Sequence, residues 1–142
     1  MIIKQLSVFL EDKVGRLTKM TKILAEHDIN VSAFSIADAA DYGIARFIVD
    51  KPEAALKVLK DNNFSVNITD VTGVIVPHKP GGLHKVLQIL SDNCIAIDYM
   101  YAFALENGEA SAIIRSKSND AVIKVLQENK LTLLEANDIY KI

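Results

Sequence analysis

The sequence has little of the chemistry that marks disulfide frameworks or membrane spans. It holds one cysteine, Cys94, and no tryptophan among 142 residues, so no disulfide can form within the chain. The longest apolar stretch, 94–105, is interrupted by Asp98 and is too short to span a bilayer. The first residues, Met1-Ile2-Ile3-Lys4, lack the charged and then apolar order of a signal peptide. These absences predict a cytoplasmic protein without a membrane partner.

An excess of basic charge is also lacking. Sixteen Lys and Arg residues oppose eighteen Asp and Glu residues, which gives a formal net charge of −2. A protein that binds duplex nucleic acid through its backbone usually carries a clear positive excess, so no nucleic-acid partner is expected. Half of the residues are hydrophobic, a share that favours a globular chain with its own core.

Recognisable catalytic and metal-binding motifs are missing as well. The chain has no nucleophile elbow, no Walker loop and no dinucleotide fingerprint. The three histidines and Cys94 do not have the spacing of a zinc site. His27 is expected to end a helix and Cys94 to fill a core. We therefore expect no enzyme activity, no catalytic residues, no metal and no cofactor.

What the chain does have is an internal repeat. Gly15-Arg16-Leu17 recurs as Gly81-Gly82-Leu83, an offset of 66 residues, and Ile23-Leu24 recurs at the same offset as Ile89-Leu90. Repeats of this kind decide the architecture of a chain, because each copy folds into the same supersecondary unit.

Hydrophobic periodicity predicts the same element order in both copies. The predicted strands are 3–10, 31–37, 44–50 and 65–69 in the first copy, and 73–77, 97–105, 109–115 and 131–135 in the second. In the first copy, one predicted helix follows Gly15 and the other begins at Pro52. In the second copy, one predicted helix follows Gly82 and the other covers 120–129. The order β-α-β-β-α-β is that of a ferredoxin-like unit. The predicted fold class is α+β, with two domains, 1–71 and 72–142, packed side by side.

The two strand-to-helix turns, 12–17 and 78–83, carry the functional signal. Each ends at a helix N-terminus, where unpaired N–H groups and the helix dipole favour an anion such as a carboxylate. Gly15 and Gly81 let a ligand approach the backbone closely, and Asp12 can accept an ammonium group. These features are complementary to an α-amino acid zwitterion. The alternative is that Gly and Pro are simply what a tight turn into a helix requires.

The turns, together with Ile29-Asn30-Val31 after the first helix and Ile95-Ala96-Ile97 after its counterpart, resemble the ACT domain, a regulatory module that binds amino acids. The resemblance covers essentially the whole chain, once per repeat. It implies that the repeats share one antiparallel eight-stranded sheet with helices on one face. It also implies an amino-acid site at the interface between repeats.

The resemblance implies binding residues in both turns and after the first helix of each repeat. In repeat 1 these are Asp12, Val14, Gly15, Arg16, Leu17 and Asn30, and in repeat 2 they are His78, Pro80, Gly81, Gly82, Leu83 and Ala96. Two positions depart from the family pattern: Val14, where the family often has Pro, and Ala96, which corresponds to Asn30. Crossed sites would pair the Asp12 turn with Ala96 and the His78 turn with Asn30. We favour the Asp12 turn, with the N–H groups of residues 15–17 holding the ligand carboxylate.

Two functions follow from this resemblance. The first is a stand-alone amino-acid sensor that regulates amino-acid metabolism, is a homodimer, and passes its output to a metabolic enzyme or regulator. The alternative is a detachable regulatory subunit of an amino-acid biosynthetic enzyme that acts mainly through protein contacts.

Overall fold

The computed structural model of the chain describes residues 1–11, 14–38, 41–105 and 107–140. The strands are β1 (Ile2–Glu11), β2 (Val31–Asp38), β3 (Tyr42–Val49), β4 (Ser65–Pro77), β5 (Tyr99–Ala104) and β6 (Glu109–Arg115). The helices are α1 (Arg16–Glu26), α2 (Pro52–Asp61), α3 (Gly82–Asp92), α4 (Asn119–Glu128) and α5 (Ala136–Tyr140). In the part of the chain described, no helix is long and apolar enough to cross a bilayer.

The strands form a six-stranded sheet in the order β2-β3-β1-β4-β6-β5. Strand β3 is antiparallel to β1 and β2, and β6 is antiparallel to β4 and β5. The prediction of eight strands is therefore wrong. The predicted strands 65–69 and 73–77 are one strand, β4, because buried Val71 and Thr72 continue it across the expected break. The predicted strand 131–135 contributes only an isolated bridge between Val74 and Leu133.

Contacts divide the chain into two compact units. The amino-terminal unit comprises Lys4–Thr69 and Asn137–Ile142, and the carboxy-terminal unit comprises Met1–Ile3 and Asp70–Ala136. Strand β4 therefore contributes residues to both units. The domain boundary expected between Val71 and Thr72, and the helices expected on one face of the sheet, stay predictions.

Each unit buries one face of its strands against two helices. In the amino-terminal unit the alternating side chains of Leu6, Val8 and Leu10 are buried with residues of α1 and α2, whereas Phe9 between them is exposed. In the carboxy-terminal unit, Val74 and Val76 of β4 are buried in the same way with residues of α3 and α4. Burial alternates along β1 from Leu6 onward, whereas Gln5, on the other face of the strand, is also fully buried. Burial of the apolar side chains is the main favourable term in folding each unit.

The four long helices all end in the same hydrogen-bonded turn. A residue with a left-handed backbone follows each helix; these residues are Asp28, Asn63, Cys94 and Lys130, with φ of 56–65°. The next N–H donates to a carbonyl five residues back, in the pairs Ile29 to Leu24, Phe64 to Leu59, Ile95 to Leu90 and Leu131 to Leu126, at 2.9–3.0 Å. This arrangement is the Schellman motif, which satisfies carbonyls that a helix end would otherwise leave without a partner.

The residue just before each left-handed position reinforces the helix end. The side-chain amides of Asn62, Asn93 and Asn129 each donate to a carbonyl four residues back at 2.8 Å. His27 Nδ1 makes the equivalent bond to the Ile23 carbonyl at 2.9 Å, so the prediction that His27 ends a helix is confirmed. The expectation that Cys94 fills a core is wrong. Cys94 is exposed, because the left-handed position that it occupies lies on the outside of the turn.

Replacing Lys130, whose backbone is left-handed, by glycine is expected to stabilise the protein. A left-handed conformation costs a residue with a Cβ roughly 1–2 kcal/mol, and glycine is the residue most often found there. We therefore expect Lys130→Gly to raise the free energy of unfolding by about 1 kcal/mol, measured by urea denaturation. The matched control is Lys124→Gly, in the middle of α4, which should lower it by about 1 kcal/mol. Equal destabilisation by both changes would contradict this account of the helix ends.

Candidate functional site

The two strand-to-helix turns have the same backbone conformation. Gly15 precedes α1 with φ 90° and ψ −5°, and Gly81 precedes α3 with φ 86° and ψ −11°. Each glycine carbonyl accepts the first helical hydrogen bond, from Lys19 at 2.9 Å and from Lys85 at 3.1 Å. Because glycine has no side chain, neither helix has a side-chain hydrogen bond from its N-cap residue. First-turn N–H groups are therefore not capped by a side chain at that position, which suits an anionic ligand.

Glycine is needed for different reasons at the adjacent positions 81 and 82. A Cβ at Gly15 or Gly81 would have no neighbour within 4 Å, so only the positive φ favours glycine at these two positions. A Cβ on Gly82 would instead collide with the carbonyl oxygen of Pro77. The Gly82 N–H also donates to the Lys79 carbonyl at 3.0 Å. Gly82 therefore shapes the turn, and its N–H is engaged within it.

Arg16 and Leu17 point toward the body of the amino-terminal unit, whereas Val14 does not. Leu17 packs against the core, and Val14 is fully exposed. The guanidinium of Arg16 lies over the ring of Phe64, with 4.3 Å between its carbon and the ring centroid. Arg16 Nε is buried and has no hydrogen-bond partner among the described residues. Asp12, the polar residue predicted to hold an ammonium group, lies outside the described residues.

A cavity of about 250 Å³ adjoins Arg16, and we call it the Arg16 cavity. Its lining residues come from the end of β1, the start of β3 and the segment leading into β4: Phe9, Glu11, Arg16, Asp41, Tyr42, Asn63 and Ser65. The Phe9 and Tyr42 rings stack with centroids 4.4 Å apart. Sequence reasoning found only Arg16 in this set. The available signal was Phe9, an aromatic residue on the polar face of an alternating strand.

A second cavity, of about 350 Å³, lies at the other turn, and we call it the Gly81 cavity. Its lining includes three predicted residues, Pro80, Gly81 and Gly82, and two lysines, Lys79 and Lys85. The remaining lining is apolar: Val76, Pro77, Val86 and Leu131. No carboxylate is among these residues. The cavity therefore offers positive charge to an anion and no described partner for an ammonium group.

Two other predicted residues of repeat 2 lie outside this lining. His78 is exposed, and its backbone N–H donates to the Gly108 carbonyl at 3.2 Å. Leu83 is 46% exposed on the first turn of α3.

Asn30 and Ala96 do not lie at the turns of their own units. The Asn30 N–H donates to Asp50 Oδ1 at 3.0 Å, so Asn30 lies just beyond the carboxy-terminal end of β3. The first turn lies near the opposite end of β3, where Tyr42 pairs with Glu11. Val49 is seven positions along the strand from Tyr42, a distance of about 23 Å. Ala96 lines a different cavity of about 380 Å³, together with Cys94, Asp98 and Lys117. The crossed pairing of turns with Asn30 and Ala96 stays a prediction.

Metal ligands do not cluster in the described part of the chain. Across 1–11, 14–38, 41–105 and 107–140, no three His, Cys, Asp or Glu residues are grouped so that they could hold a metal ion. The side chain of His27, a candidate ligand by residue type, is engaged at the end of α1.

A comparison with family models identifies one family. A family model described as "ACT domain pair" matches residues 1–142. The crystal structure of protein BT0572 from Bacteroides thetaiotaomicron is 53% identical, with a TM-score of 0.95, and the match covers 100% of this chain and 98% of that chain. No curated protein matches this chain.

Two more distant structures share the fold. The ligand-free regulatory subunit of aspartate kinase from Thermus thermophilus is 19% identical, with a TM-score of 0.64, and the match covers 88% of this chain and 91% of that one. The regulatory subunit of aspartate kinase from Thermus flavus is 17% identical, with a TM-score of 0.62 and coverage of 90% and 94%.

The close approach of Gly82 to Pro77 predicts a position-specific effect of adding one methyl group. We expect Gly82→Ala to lower the free energy of unfolding by about 1–3 kcal/mol, because the backbone of the turn must shift to relieve the collision. The matched control is Gly43→Ala in β3, whose Cβ would meet only the Ala37 carbonyl at an ordinary 3.5 Å. Urea denaturation of both variants measures the difference. Equal stabilities would show that Gly82 is not needed for the turn.

Proposed function

The chain belongs to the ACT domain pair family, and from that premise we propose that it binds a free amino acid and thereby regulates amino-acid metabolism. The observation that carries the proposal is the repeated turn. Gly15 and Gly81 hold the same left-handed conformation immediately before a helix, once in each unit. A ligand carboxylate at either turn would meet helix N–H groups and the positive end of the helix dipole.

Side chains next to each turn add positive charge. Arg16 lines the cavity at the first turn, and Lys79 and Lys85 line the cavity at the second. A guanidinium can hold a carboxylate with two parallel hydrogen bonds, whereas an ammonium acts as a point charge. We favour the first turn for the amino acid, with Asp12 as the proposed partner of its ammonium group. The regulatory effect would be a coupling between ligand binding and the conformation or contacts of the protein.

A second candidate function is a regulatory subunit that works mainly through protein contacts. This candidate is favoured by the similarity between the fold of this chain and that of the regulatory subunits of aspartate kinase. The structural match covers 91% and 94% of those two chains. In this second function, the protein would regulate a separate metabolic enzyme by binding to it. Neither candidate needs a catalytic residue or a cofactor, and both place the protein in the cytoplasm.

Amino-acid binding is tested by thermal denaturation in the presence of each of the twenty amino acids. A ligand at ~100 times its Kd stabilises by about 2.7 kcal/mol, and at roughly 2–4 °C per kcal/mol this raises Tm by about 5–11 °C. We expect one amino acid or a small group to give such a shift.

The matched variants for this screen exchange one aspartate for alanine. Asp12→Ala should reduce the shift, because the proposed ammonium partner is removed. Asp92→Ala, at the exposed end of α3, should leave the shift unchanged. Tm values that stay constant at millimolar concentrations of all twenty amino acids would contradict amino-acid binding. The second candidate function, a subunit that acts through protein contacts, would then remain.

We also propose that the protein is a homodimer that pairs through β2. Strand β2 is at one end of the strand order, and its residues 31–37 carry no charge. Phe34 and Ile36 are 61% and 46% exposed on this strand. Antiparallel pairing of two copies about Ser35 would place Phe34 of one copy opposite Ile36 of the other, a favourable aromatic and β-branched pair. An uncharged, exposed edge strand is otherwise a site for uncontrolled association.

A single charge on this edge is expected to separate the copies. We expect Ile36→Lys to be monomeric at concentrations at which the unchanged protein is dimeric, because pairing would bring the new lysine against a phenylalanine ring in an apolar contact. The measurement is light scattering coupled to size exclusion. Leu83→Lys, with the same 46% exposure on α3, is the matched control and should remain dimeric. A dimer that survives Ile36→Lys would contradict pairing through β2.

A further inference from the structure

Arg16 and Phe64 connect the two helices of the amino-terminal unit. Arg16 is the first residue of α1, and Phe64 follows the end of α2. The guanidinium carbon of Arg16 lies 4.3 Å from the centroid of the Phe64 ring. The face of an aromatic ring attracts a cation without accepting hydrogen bonds from the N–H groups in the guanidinium plane. The contact therefore holds the guanidinium and leaves it the donors that a carboxylate needs.

The Phe64 ring is itself held in place by the end of α2. Phe64 is 4% exposed and belongs to the core of the unit. Its N–H donates to the Leu59 carbonyl at 3.0 Å and completes the Schellman motif, directly after left-handed Asn63. Asn63 also lines the Arg16 cavity. The end of α2 thus supplies a packed surface on which the side chain of Arg16 rests.

Arg16 carries a donor that its surroundings do not use. Nε is buried and has no hydrogen-bond partner among the described residues. A buried donor without a partner is costly, and a ligand oxygen that accepts from it would relieve that cost. A long side chain also loses rotational freedom when it binds a ligand. Because the Phe64 ring already restricts Arg16, part of this loss accompanies folding and no longer opposes binding.

The second repeat has the same backbone frame without this contact. The residue after Gly81 is Gly82, where the first repeat has Arg16. The residue that completes the Schellman motif of α4 is Leu131, where the first repeat has Phe64. Leu131 lines the Gly81 cavity. These two positions of the second repeat provide neither a guanidinium nor an aromatic ring, so the contact distinguishes the first turn from the second.

Resting on the amino-acid binding proposed above, we infer that Phe64 is a positioning residue of the amino-acid site. Phe64 does not touch the ligand. Its ring holds the Arg16 guanidinium at the start of α1, where the guanidinium donates to the ligand carboxylate. Asp12 keeps its proposed role as the partner of the ligand ammonium group. The end of α2 thereby takes part in binding, although none of the residues described as lining the Arg16 cavity comes from α2 itself.

Proton–nitrogen NMR of the arginine side chains tests the contact without a ligand. The chain has three arginines, Arg16, Arg46 and Arg115, and the Nε–H signal that disappears in Arg16→Lys belongs to Arg16. A proton held over an aromatic ring is shielded, so we expect this signal upfield of the other two in the unchanged protein. Phe64→Leu should move it downfield and leave the other two in place. An Arg16 signal that is not shielded, or that Phe64→Leu does not move, would overturn the inference.

Isothermal titration tests the effect on binding, with the amino acid that gives the largest Tm shift in the screen described above. We expect Phe64→Leu to raise its Kd about threefold to tenfold, and Arg16→Ala to raise it at least as much. In a protein that already carries Arg16→Ala, Phe64→Leu should change Kd less than about twofold, because the ring then has no side chain to position. The matched control is Phe47→Leu, the same change at a buried ring of the same unit, which should leave Kd unchanged.

The results distinguish a failure of this inference from a failure of the proposed function. If Phe64→Leu leaves Kd unchanged, or raises it equally with and without Arg16, Phe64 does not act through Arg16, and amino-acid binding stands. If Phe47→Leu raises Kd as much as Phe64→Leu, the effect belongs to the core as a whole and the inference is again wrong. If none of the twenty amino acids binds, the proposed function fails and this inference fails with it. Urea denaturation shows that each variant is folded, and the position of the Arg16 signal in the unchanged protein does not depend on the folding of Phe64→Leu.

Discussion

The constraint on which both units depend is the reversal of the chain at the ends of its helices. Each of the four long helices ends at a residue with φ of 56–65°, and two of them also begin after a glycine with φ of 86–90°. A left-handed residue turns the chain through a large angle within one or two positions. Helix and strand are then joined without a long loop, and the leucine that accepts the Schellman bond stays buried in the core. The positions of the helices over the strands, and of the turns that carry the candidate site, follow from these reversals.

On that shared frame the two repeats present different chemistry. Gly15 and Gly81 agree within a few degrees in φ and ψ, yet the side chains beside them form an acidic and basic set in one unit and a purely basic set in the other. The backbone of a turn is fixed by a few glycines and by the hydrogen bonds of the helix that follows. The cavity beside it is lined by residues from several other elements, and these are free to change without altering the turn. A duplicated module can therefore keep its geometry while its two cavities diverge in the ligands that they suit.

Local periodicity predicted most of the fold, because it reports directly on which residues face a core. The alternation of Leu6, Val8 and Leu10 identified β1, and the range predicted for β6, 109–115, agrees with the structure. The two strand predictions that failed concern pairing, which a single segment does not reveal. Val71 and Thr72 are buried within one continuous strand, although the repeat placed a boundary there, and Leu133 pairs at only one position.

The candidate site was predictable only where the backbone defines it. The glycine turns were found because Gly15 and Gly81 recur at a fixed offset, each just before a predicted helix. Asp41 and Tyr42 were missed because they meet Arg16 only through the register of β1 and β3. The four left-handed residues after the helices share a further property: they are Asp, Asn, Cys and Lys, whereas the buried residue that accepts the Schellman bond is leucine each time. The four helix ends thus share a torsion angle and a spacing, so a comparison of the residue types at the left-handed position alone would miss a geometry that both repeats keep.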